Sequence, residues 1–78
     1  MKIVSHENKN QIHEFVVQID RHRSAYLTVR ENSYPIQVLS GSAVCSTGIG
    51  ARDEKDALEE AGQWLLHEIS EGRVNFPS

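Results

Sequence analysis

The side chains in this chain that could do chemistry are four histidines, one cysteine and several hydroxyls beside glycines. A metal centre needs donors that converge, such as two histidines at i and i+4 on a helix, or a cysteine pair. His6, His13, His22 and His67 fall on four different segments. They read as surface or turn residues, and no metal site is expected. Cys45 would act as a nucleophile with a histidine beside it. None lies near it in sequence, so it reads as a small residue in a strand. Ser40, Ser42, Ser46 and Thr47 flank glycines but lack the strand–Gly-x-Ser-x-Gly–helix setting of a hydrolase elbow. Gly48-x-Gly50 leads toward a helix, the layout of an anion-binding loop. No third glycine and no Lys-Ser/Thr follow it. Asp53, Glu54 and Asp56 would repel an anion, so the segment reads as a turn. With no catalytic set and no cofactor or metal ligands in sight, the expectation is a binding protein and not an enzyme.

Binding chemistry gathers on one segment. On a helix, Asp56, Glu59, Glu60, His67 and Glu71 share an outer face. Such a face is either simply solvated or an acidic surface for a basic partner. Trp64, the only tryptophan, lies about 100° from the centre of the apolar stripe. Its ring either anchors an interface or closes the core. Trp64, Asp56, Glu59, Glu60, His67 and Glu71 are therefore the expected partner-binding residues.

The elements that must position these residues follow from periodicity. Residues 1–11 are polar apart from Ile3 and Val4, and read as a lead-in with at most a short edge strand at its start. From Ile12 the period is two, with Phe15, Val17 and Ile19 facing one way and Glu14, Val16, Gln18 and Asp20 the other. Ala25, Leu27 and Val29 alternate with Tyr26, Thr28 and Arg30 in a second strand. Glu31-Asn32-Ser33 is turn chemistry. Tyr34 to Ser40 reads as a third strand, with Ile36 and Val38 inward and Pro35 at its start or on an edge. Gly41 is either a bulge or a turn into a fourth strand at Ala43–Ser46; the turn is the preferred reading. The helix runs over 53–71, with Asp53 as N-cap and Gly72 as stop. Leu58, Ala61, Leu65 and Ile69 form its stripe, with Gly62 beside it to allow close approach to the sheet. Residues 12–50 thus form the sheet and 73–78 a tail. The fold class is α+β: a three- or four-stranded antiparallel sheet packed by one C-terminal helix, in a single small domain.

Composition agrees with that scale. A chain of 78 residues with 38% hydrophobic content holds one small core. A net charge of −3 argues against general nucleic-acid binding. One cysteine rules out an internal disulfide and suggests a reducing compartment. No apolar run approaches the roughly 20 residues needed to span a bilayer. The expected setting is cytoplasmic.

Gly48, Gly50, Ala57 and Ala61 resemble the tail of a double-stranded-RNA-binding domain, a Gly-x-Gly followed by an Ala-rich helix. The resemblance implies RNA contact, although Arg52-Asp53-Glu54 stands where that family carries phosphate-gripping lysines. Gly50 and residues 54–58 resemble the helix start of HicB-like antitoxins, which share the β-β-β-α order. By size, charge and lack of catalytic residues the chain is also similar in type to small phage-encoded inhibitors such as anti-CRISPR proteins. The leading expectation is a protein-binding inhibitor or antitoxin with a basic protein partner; homodimerisation through the sheet face or an edge is a further expectation. The alternative is a nucleic-acid-binding domain using Lys2, Lys9, Arg21, Arg23, Arg30 and Arg52.

Overall fold

Four strands and one helix are built from these patterns in a computed structural model that describes residues 1–31 and 35–74. The strands are β1 (Lys2–Lys9), β2 (Ile12–Gln18), β3 (Arg23–Arg30) and β4 (Val38–Cys45), followed by helix α1 (Ala51–Ser70). They form one antiparallel sheet in the order β1-β2-β3-β4. The fold is α+β, with the helix packed across β4 and β3.

Alternation works as expected in β2 and β3. Phe15, Val17, Ala25, Leu27 and Val29 are all buried under the helix side of the sheet. From α1, Ala57, Ala61 and Leu65 complete the core at 0% exposure. Leu58, Trp64 and Ile69 pack around it, half-buried.

Three expectations are corrected. Residues 2–9, read as a lead-in, form a full edge strand. Its pairing depends on backbone geometry more than on apolar content: Asn10 and Gln11 both have positive φ, at 52° and 71°. That is the signature of the two-residue turn that matches strand twist. The second correction is Gly41, which neither turns the chain nor bulges. It sits inside β4 opposite Leu27. A Cβ there would lie 2.8 Å from the Tyr26 carbonyl and 3.1 Å from Leu58 Cδ2. Glycine is required for close approach, not for a bend. The irregularity falls nearby instead: Thr28 pairs with Ser40 and Val29 with Val38, so Leu39 is the extra residue. Third, α1 begins two residues before Asp53. Its N-cap is Gly50, with no side-chain cap, and Asp53 and Glu54 lie inside the first turn. Gly72, at φ 75°, ends the helix as expected. Its N–H donates to the Ile69 carbonyl and that of Arg73 to Glu68, the double bond of a Schellman stop.

Asn32, Ser33 and Tyr34 of the expected turn and third strand, and residues 75–78 of the tail, lie outside the described residues. The chain between β2 and β3 is fixed by Asp20, whose carboxylate accepts from the His22 and Arg23 amides, each at 2.9 Å, and from Arg23 Nε at 2.8 Å. At the β4 edge the Ala43 amide points to Glu54 Oε2 at 3.4 Å. The sheet face away from the helix has no cover among the described residues. Tyr26 and Val44 stand on it, each 47% exposed.

Candidate functional site

Helix periodicity brings the expected acidic residues together. Asp56, Glu59, Glu60, His67 and Glu71 are all exposed on or just beyond α1. The helix carries six acidic side chains against Arg52 and Lys55, a net charge of −4. The whole chain carries −3, so everything outside the helix sums to +1. The negative charge of the protein therefore resides in one element. Two pairs touch this face: Glu60 lies 3.9 Å from Arg23 Nη1, and Glu71, just past the helix, lies 3.8 Å from His67 Nε2. Both pairs are exposed and contribute little to stability. Glu68 is held below the usual carboxylate range chiefly by hydrogen bonding to Arg73, whose Nε donates to it at 2.8 Å. Trp64 departs from the acidic group. It is half-buried and packs against the core, so only part of its ring remains for a partner.

A second polar cluster lies inside the sheet. His13, expected at the surface or in a turn, is 0% exposed on β2. The alternation that buries Phe15 and Val17 also buries His13, two residues earlier. That parity was the signal in the sequence, overridden by the polarity of the residue type. Burial is tolerated because both ring nitrogens are bonded. His13 Nε2 is 3.0 Å from Glu31 Oε1, and His13 Nδ1 is 2.6 Å from His6 Nε2. A carboxylate only accepts, so His13 donates to Glu31. A single hydrogen then occupies the gap between the two imidazoles.

The rest of the cluster is held by packing. His6 comes from the exposed edge strand β1, where it pairs with Phe15, and its ring stacks on Phe15 with centroids 4.2 Å apart. Glu31 is placed at the end of β3 by its own amide, which donates to the Gln11 carbonyl at 2.7 Å. The His6 imidazole is held below its ordinary range, first by burial and second by the charge on His13.

The remaining histidines are exposed: His22 bonds Ser46 Oγ at 3.0 Å, and His67 faces Glu71. Among the described residues no three His, Cys, Asp or Glu side chains converge so as to hold a metal ion. The Glu31–His13–His6 set is a line of groups bonded to one another, not a set aimed at a common point. Cys45 lies at the end of β4 with its Sγ 3.1 Å from Thr47 Oγ1. That hydrogen bond pulls the thiol below its ordinary range. The cleft between Cys45 and the helix start is bordered by Asp53 and Asp56, a poor setting for an anion at Gly48–Gly50. Among the described residues no helix is long and apolar enough to cross a membrane.

Compared with known proteins, the chain matches no family model, no curated protein and no solved structure.

Proposed function

We propose that this chain is a non-enzymatic protein-binding module, of the inhibitor or antitoxin kind, whose partner presents a basic surface to the outer face of α1. The observation that carries the reading is the charge separation: a helix of net −4 on a chain of net −3. Opposite charge across an interface speeds encounter and fixes register more than it sets affinity. Asp56 and Glu59 are the residues for this role, because no ion pair engages either among the described residues. Glu60, His67 and Glu71 extend the face, and the exposed part of Trp64 supplies apolar contact at its border.

The test is kinetic. The protein is used to capture its partner from the source cell, and association is then measured with wild type and with an Asp56→Lys/Glu59→Lys double variant. The double variant should associate about tenfold more slowly, with a flattened salt dependence. An unchanged rate and salt slope would refute the acidic-face reading. Double-stranded RNA is titrated in parallel at physiological salt; a dissociation constant well below micromolar would move the protein to the nucleic-acid class.

A further inference from the structure

The line Glu31–His13–His6 joins three strands' worth of chain through two hydrogen bonds, and the outermost member sits on an edge strand. Proton counting shows what it can do. With both rings neutral, one hydrogen lies in the 2.6 Å gap between His6 Nε2 and His13 Nδ1. Adding one proton changes the charge but not that count, whichever ring carries it: the charged ring donates and its neighbour accepts. The Glu31 carboxylate on the far side of His13 compensates this first charge. A second proton places N–H against N–H. Two donors cannot share the gap, and two positive rings repel at contact distance. The pair must then separate.

We propose that Glu31, His13 and His6 form a proton-operated latch on β1, closed with up to one added proton and opened by the second. Opening lifts the His6 ring from Phe15, which is only 1% exposed beneath it, and frees the second half of β1 from its side-chain anchor. His13 stays in place because it is fully buried on a strand paired on both sides, and Glu31 because its amide is bonded to the Gln11 carbonyl. Arg30, the last residue of β3, adds a positive charge beside Glu31. On β1 and β2 the flanking charges Glu7, Lys9 and Glu14 pair with one another. Glu68 on α1 and Arg73 just past its end pair with each other. The charge on His13 is the one that acts on His6.

The latch is read across an acid titration that adds the two protons one after the other. Nitrogen NMR of the imidazoles reads the latch directly through the scalar coupling across the N–H···N bond. The coupling should survive the first step and vanish at the second. Beyond the second step the amides of Glu7 and Lys9, which the hairpin register turns toward β2, should exchange about tenfold faster relative to Val44 of β4, after correction for intrinsic pH dependence. His6→Phe keeps a ring on Phe15 but takes no proton, and its β1 protection should lose this pH dependence. His22 and His67 remain in that variant as internal controls. Loss of the coupling at the first step, parallel loss of protection in β1 and β4, or a pH-dependent β1 in His6→Phe would each overturn the latch.

Discussion

The two halves of the sheet are closed by different chemistry. Over β3 and β4 the roof is α1, and the contact is made by small residues: Ala25, Gly41 and Ala43 below, Ala57, Ala61 and Gly62 above. At β1 and β2 the helix makes little contact, and one stacked imidazole covers Phe15, with a buried histidine and a carboxylate behind it. The first half is held by shape, which responds to volume and ignores pH. The second is held by hydrogen bonds between imidazoles, which tolerate exposure but respond to protons. A small domain has too little apolar residue to close both halves the same way.

The largest expected break is in the roofed half. Leu65 is 0% exposed at the centre of the helix stripe. Leu65→Ala should lower stability by roughly 2–5 kcal/mol in chemical denaturation. A loss below about half a kcal/mol would mean that the half is not held by close packing.

The two glycines of that half sharpen the point, because they should respond with opposite sign. Gly41→Ala puts a Cβ 2.8 Å from a backbone oxygen that cannot step aside. It should cost about 1–3 kcal/mol. Gly62→Ala meets only Val38 Cγ2, at an ordinary 3.6 Å. It should gain up to about 1 kcal/mol from helix propensity. Denaturation midpoints of both variants check this; a loss at Gly62 would show that the helix sits closer than that contact allows.

The smallest effect belongs to the polar half. The His6 imidazole is depressed in the folded protein, so the unfolded chain binds that proton more readily. Stability should be level above the ordinary imidazole range and decline as pH falls through it toward the depressed value. Exposure of the ring keeps the change modest. Urea midpoints across this range should fall in wild type and stay flatter in His6→Phe. Equal slopes would remove the contrast between the halves.

What the sequence made legible follows the same division. Period two in residues 12–30 and the helical stripe at Ala61 and Leu65 announced the roofed half, because burial there is written in residue type. β1 was illegible because its strand is specified by the turn at Asn10–Gln11 and by pairing, not by apolar residues. Gly41 was misread because a glycine chosen for clearance looks in sequence like one chosen for a bend. His13 was placed wrongly because its partners are seven and eighteen residues away, and no local spacing reveals a hydrogen-bond line that the fold assembles. The exposure of Asp56, Glu59, Glu60 and His67 on α1 was legible, since it needs only the helix period, while Glu71 falls on the C-cap just past the helix.

The carboxylate of Glu54 on the Ala43 amide has a consequence for how the protein fails. β4 reads Val-Leu-Ser-Gly-Ser-Ala-Val-Cys, eight residues with no charge and no proline. A bare edge of that composition is a template for intermolecular strand addition. The edge strand β1 carries its own deterrent in Lys2 and Lys9 and an irregularity between Ile3 and Ser5. β4 borrows its deterrent from α1 and loses it whenever the helix undocks. Aggregation under partial denaturation should therefore nucleate at residues 38–45, and the helix serves the folded chain as an internal gatekeeper.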